Sequence, residues 1–343
     1  MKLITKKKDI FPISAKLDRY LRYYGRGCRL PIQYDDLLRF TDAISLYDKN
    51  DQDTLWKTLS YDASEREEVD RGLLKIYAFL QAGGDLSVTR HLRVDRVDLC
   101  SYGNTKPFRI RITNNLNENF DYFYLKQADA SRIYGLELED ILSPNRIGFM
   151  YFNETLVEEH VYGIPGDLFL DRYLAAPGSN KVRIAKEFVK FNERCFLRLL
   201  GDMHASNFVV DITMDFEENF YRMRAIDFDQ QSYEPRKKVY LPQFYSENQK
   251  FVKLTMDCLS KETIQQYQQE ERSLIKRRMQ SADHRFRQLL NCMKESPLAP
   301  ESHVRQLREE LAEHYRDDDF LQCQTMAHIL EQSLQQAIVK SHM

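Results

Sequence analysis

The chain has 343 residues, 43% hydrophobic and 30% charged, enough apolar material for two domains or one large bilobal one. Its net charge of -2 excludes an overall basic nucleic-acid or membrane-surface binder. Six scattered cysteines without a Cys-x-x-Cys pair argue against a disulfide framework or a structural zinc site. Residues 1–12 are lysine-rich and lack the apolar segment of a signal peptide, and no run approaches bilayer-spanning length, so a cytoplasmic protein without a membrane span is expected.

Residues 1–85 read as a helical N-terminal extension. Arg19 to Arg26 interleaves arginines with tyrosines, which reads as an amphipathic helix with arginine stems over the rings in preference to an anion-binding face. Asp35 to Leu46 sets Leu37, Leu38, Phe40 and Ile44 at helical spacing. Glu67 to Gln81 does the same with Leu73, Leu74, Tyr77, Phe79 and Leu80 until Gly83-Gly84 stops it. From Ser87 the period becomes that of strands. Val94 to Leu99, Phe108 to Ile112 and Asp121 to Lys126 are predicted strands, with the turn Ser101-Tyr102-Gly103-Asn104 after the first. A helix capped by Ser131 runs through Ile141, followed by strands Ile147 to Phe152 and Thr155 to Tyr162. Residues 86–162 thus form a small antiparallel sheet with one helix inserted.

Residues 163–343 return to helical spacing. Gly163 to Gly166 is a connector, and Pro177 to Asn180 caps a helix over Lys181 to Leu200 with Ile184, Phe188, Phe191, Cys195 and Leu199 on one face, ended by Gly201. Gly201-Asp202-Met203-His204-Ala205-Ser206-Asn207 follows. Phe208 to Asp211 and Tyr221 to Phe228 then read as strands joined by the polar loop Asp215 to Asn219. In an antiparallel hairpin the residue before the first strand lies beside the end of the second, roughly 5 Å away between backbones. Asn207 and Asp227 take about those positions, and an amide oxygen with a carboxylate suits Mg²⁺. Asp229 shares the face of Asp227 and is a further ligand or a substitute. Asp202 is placed to accept or orient a hydroxyl proton, or to cap a turn after Gly201. His204 has no neighbouring metal-ligand residues in sequence and reads as a brace for the loop. Arg236-Lys237-Lys238 is either an anion contact or a solvated loop, and Glu270 to Arg287 reads as one soluble helix face. From Glu247 the pattern is helical, broken at Pro297 to Pro300.

The Gly201–Asn207 stretch followed by Ile226-Asp227-Phe228 resembles the Gly-Asp-x-His-x-x-Asn and Ile-Asp-Phe motifs of protein-kinase-like phosphotransferases, including aminoglycoside and choline kinases. The resemblance spans about residues 90–260 in order and spacing. It implies an α+β, protein-kinase-like bilobal fold, with a sheet-rich nucleotide-binding lobe and a helical catalytic lobe. It also implies ATP and Mg²⁺, with Asp202 as catalytic base and Asn207 and Asp227 as metal ligands. Lys126 would hold the phosphates, with Glu137 or Glu139 as its ion-pair partner; these lie about 200° apart on a helix, so only one faces the lysine, Glu137 being preferred. Glu159, His160 and Val161 would form the hinge that binds adenine. The chain departs from the pattern in having one glycine in the turn at residues 101–104, Asp229 where a glycine is usual, and neither His-Arg-Asp nor Ala-Pro-Glu. The reaction implied is transfer of the ATP γ-phosphate to a hydroxyl of an unidentified small molecule or protein. A nucleotide-binding regulator and a nucleotidyltransferase are the alternatives.

Overall fold

The computed structural model describes residues 8–48, 50–100, 105–215 and 219–339, with side chains to residue 336. The turn at residues 101–104 and the middle of the loop expected at 215–219 lie outside the described residues. The chain divides into a sheet unit, Pro12–Asp129 with Ile147–His160, and a helical unit, Met1–Phe11, Ala130–Arg146 and Val161–Met343.

The strands of the sheet unit are β1 (Asp42–Tyr47), β2 (Asp53–Ser60), β3 (Leu92–Cys100), β4 (Phe108–Asn114), β5 (Phe120–Gln127), β6 (Phe149–Phe152) and β7 (Thr155–Glu159). They form one antiparallel sheet in the order β1-β2-β3-β4-β5-β7-β6. Strand alternation puts Phe108, Ile110 and Ile112 of β4 and Phe123 and Leu125 of β5 in a core with Val69, Leu73 and Ile76 of helix α2 (Ala63–Ala82). Gly83 takes the left-handed conformation that ends α2, with φ of 59°. The shorter α1 (Ala15–Tyr23) is capped by Ser14 and buries Leu17, Tyr20 and Leu21.

The helix expected over Asp35–Leu46 is instead a 3-10 turn, Tyr34–Leu38, followed by β1. Its apolar spacing did not mark one buried face, since Leu37 is buried whereas Leu38 and Ile44 are exposed. The side chain of Asp48 accepts from the backbone N–H groups of Asn50 and Gln52 and closes a hairpin, pairing Asp42 with Ser60. Residues 12–85 therefore add two strands to the sheet and pack with it.

The helical unit contains α3 (Ala130–Leu142), β8 (Ile164–Pro165), the single turn α4 (Gly166–Leu168), α5 (Lys181–Leu197), β9 (Phe208–Met214), β10 (Asn219–Ala225), α6 (Gln249–Cys258), α7 (Lys261–Ser281), α8 (Asp283–Lys294), α9 (Glu301–Tyr315) and α10 (Met326–Val339). Asn180 caps α5 by accepting from Arg183 N–H at 3.1 Å. The helix ends at Leu197 rather than Gly201, because Leu199 turns left-handed with φ of 54°. Helix α3 is buried on nearly every side. Ser131 lies inside its first turn rather than capping it, and its hydroxyl donates to the Gln231 carbonyl at 2.6 Å.

The charged stretch Glu270–Arg287 is two helices, α7 and α8, split at Ala282. It is not a uniformly solvated face: Arg278 donates to the Ser143 carbonyl at 3.0 Å, and Arg285 pairs with Glu137 at 2.7 Å and Asp140 at 2.8 Å. Among the described residues no helix is long and apolar enough to cross a membrane.

Candidate active site

The β9–β10 hairpin pairs Phe208 with Ala225, and Ile226 N–H continues the ladder by donating to the Asn207 carbonyl at 3.0 Å. Asn207 thus stands opposite the residue before Asp227. Its side-chain nitrogen donates to the Asp202 carbonyl at 2.8 Å, which fixes the amide and leaves Oδ1 without a hydrogen bond among the described residues. Asn207 and Asp227 thereby lie at the two ends of the hairpin, and Asp202 is tied to them through the Asn207 amide.

Asp202 itself sits at φ of 62°, a conformation that Asp and Asn tolerate better than most residues. Its N–H points to the Tyr245 hydroxyl at 3.0 Å, and that hydroxyl donates to the Val239 carbonyl at the same distance. Asn248, fully buried, donates to the carbonyls of Met203 at 2.9 Å and Pro242 at 2.8 Å. The loop is therefore held from behind by the segment leading into α6. Burial, then the negative charges of Asp227, Glu234, Asp229 and Glu247, push the Asp202 carboxyl up to about 7. His204 Nε2 is 3.9 Å from Asp202 Oδ1, and burial lowers the pKa of that imidazole.

A residue that sequence reasoning missed lies at the centre of this site. Arg132, on α3 and almost fully buried, donates through Nη1 to Asp227 Oδ1 at 2.8 Å and to Asp229 Oδ1 at 2.9 Å. Its Nη2 donates to the Ile226 carbonyl at 3.3 Å. Asp229 N–H also donates to Asp227 Oδ1, at 3.0 Å. The available signal was an arginine inside the otherwise apolar run Ala130 to Leu138, interrupted only by Ser131 and Glu137. Gly135, one turn on, lets the helix approach the Ile-Asp-Phe triplet: a Cβ there would lie 2.9 Å from Phe228 Cβ.

Among the described residues no group of three or more His, Cys, Asp or Glu side chains is arranged to hold a metal ion. A Mg²⁺ site of the phosphate-bridging kind needs only one or two protein oxygens, the rest coming from water and substrate. Asn207 Oδ1 and Asp227 Oδ2 fit that requirement, being hard oxygens not taken by a hydrogen bond among the described residues. Asp229, expected as a ligand or substitute, is mostly buried and pairs with Arg132 through Oδ1.

In the sheet unit, Lys126 is opposite Leu156 across the β5–β7 ladder, so Glu158, two residues along, shares its face. Lys126 Nζ donates to Glu158 at 2.8 Å and lies 5.4 Å from the Tyr124 ring. The expected partners engage arginines of the helical unit: Glu137 accepts from Arg285 at 2.7 Å and Glu139 pairs with Arg198. Of the expected hinge, Glu159 N–H donates to the Gly148 carbonyl at 2.9 Å, His160 Nδ1 is 3.1 Å from the Tyr124 hydroxyl, and Val161 is buried. In the Arg236-Lys237-Lys238 segment, Lys237 N–H donates to Glu310 at 2.8 Å and Lys238 Nζ lies 5.7 Å from the Phe244 ring centre.

No protein-family model matches the chain, and no curated protein matches it. Among solved structures it is similar to one described as "Titin kinase and its flanking domains", with 12% identity and a TM-score of 0.27. That match covers 65% of this chain and 51% of the other, so the chain spans about half the length of the structure it matches.

Proposed function

We propose that this chain is an ATP- and Mg²⁺-dependent phosphotransferase of protein-kinase-like fold, moving the γ-phosphate to a hydroxyl of a small molecule or protein. The observation that carries this reading is the Asp202, Asn207 and Asp227 constellation: Asn207 donates its amide nitrogen to the Asp202 carbonyl, and Asp227 accepts through Oδ1, so that each keeps one oxygen out of the hydrogen bonds of the described residues. Asp202 accepts the proton of the attacking hydroxyl, a task best done by a base whose pKa is near the working pH. Asn207 Oδ1 and Asp227 Oδ2 hold the metal, which when bound supplies charge neutralisation at the phosphate oxygens. Lys126, ion-paired with Glu158, would bind the phosphates, and the backbone around Glu159, His160 and Val161 would take the adenine.

Incubation with γ-labelled ATP and Mg²⁺ across hydroxyl acceptors tests the reading, with labelled product expected. Absence of any Mg²⁺-dependent nucleotide binding or turnover in folded protein would refute it. The Arg132 contacts to Asp227 and Asp229 favour a second reading, a nucleotide-binding regulator whose metal carboxylates are held by the protein itself. Binding without turnover on every acceptor selects that reading, whereas transfer of label from α-labelled ATP selects nucleotidyl transfer.

A further inference from the structure

We infer that Arg132 is a built-in counter-cation of the metal centre, standing where a second divalent ion would otherwise be needed, so that the site takes one ion and not two. This inference rests on the phosphotransferase reading of the same site. One guanidinium nitrogen contacts both carboxylates, Asp227 Oδ1 at 2.8 Å and Asp229 Oδ1 at 2.9 Å. Asp227 Oδ1 is doubly occupied, by Arg132 and by Asp229 N–H, so Asp227 offers a cation its Oδ2. Arg132 therefore already neutralises part of the charge of the two carboxylates and occupies the oxygens through which both could bridge to a second ion. Arginine is never deprotonated in proteins, so this neutralisation holds at every working pH. Nor is the guanidinium a loose surface group: its side chain is 2% exposed, and Nη2 is tied to the Ile226 carbonyl at 3.3 Å. Ser131, next to it on α3, anchors to the Gln231 carbonyl, so the helix grips both ends of the segment that carries the carboxylates.

The test is a count of Mn²⁺ bound by the full chain, read by electron paramagnetic resonance in the presence of a non-hydrolysable ATP analogue. One tight ion per chain is expected for the wild type. Arg132→Gln should bind a second ion about tenfold or more tighter than the wild type does, and Arg132→Lys should return the count to one. Two ions of similar affinity in the wild type, a count that needs no variant, would overturn the inference while leaving the phosphotransferase reading standing. No ion bound by folded wild type with the analogue would instead remove that reading, and this inference with it. An Arg132→Gln protein that keeps its circular dichroism and its first ion but gains no second-ion affinity also overturns it.

Discussion

Asp202 concentrates the chemistry proposed here, and two measurements follow from its surroundings. A base with a carboxyl near 7 must be ionised to act, so kcat/KM should fall as pH drops through about 7 and level off above it. A profile flat down to pH 5, about two units below, would remove Asp202 from that role. The same shift acts on stability in the opposite sense. Because the folded-state value lies above the ordinary 3.8, Asp202 favours the folded state below about pH 4 and loses that contribution as pH rises towards 7. Asp202→Asn keeps a residue that tolerates φ of 62° and removes the buried charge. Transfer should fall by about 100- to 10,000-fold, while unfolding free energy at pH 8 rises by roughly 1–3 kcal/mol. A γ-labelled ATP transfer assay measures the first and denaturant unfolding at pH 8 the second, and a variant less stable than wild type at pH 8 contradicts the account.

Helix α3 is the element on which the site leans. It presents Arg132 to two carboxylates, Ser131 to the Gln231 carbonyl and a bare Gly135 backbone to Phe228. Gly135→Ala forces a methyl to within 2.9 Å of Phe228 Cβ, an atom that cannot swing away. Overpacking of this kind should cost about 1–3 kcal/mol and weaken divalent-ion binding through the displaced Asp227. Unchanged ion affinity with a normal melting temperature would show that the contact is tolerated. The far half of α3 is held differently, by Arg285 of α8 on fully buried Glu137. Arg285→Met withdraws that charge from a buried carboxylate and should destabilise the protein by roughly 2–4 kcal/mol, measurable by urea unfolding. A loss below about 0.5 kcal/mol would mean the pair contributes as little as a surface one.

At the scale of the whole molecule the chain leaves the sheet unit after Asp129 and re-enters it at Ile147, so neither compact unit is a simple N- or C-terminal piece. Strands β6 and β7 close the sheet beyond β5, and Val157 of β7 joins the core made by Phe123 and Leu125. A fragment of residues 12–129 would present the long β5 edge unpaired and should be unfolded or aggregated. A dispersed amide spectrum from that fragment as a monomer would disprove this.

The sequence by itself determined the local parts. Strict alternation marked β4, a run rich in aromatics marked β5, glycine marked the end of α2, and the hairpin spacing brought Asn207 back towards Asp227 because backbone pairing is a short-range consequence of the turn. Tertiary structure decided everything that depended on which face met which. It turned Asp42–Tyr47 into a strand against helical spacing, because pairing with β2 satisfied the backbone there. It gave Lys126 a carboxylate from its own sheet, sent Glu137 and Glu139 to arginines, and delivered Arg132 to Asp227 and Asp229 from 95 and 97 residues away. A buried charge takes whichever opposite charge the packed elements bring within reach, and sequence spacing carries no record of that.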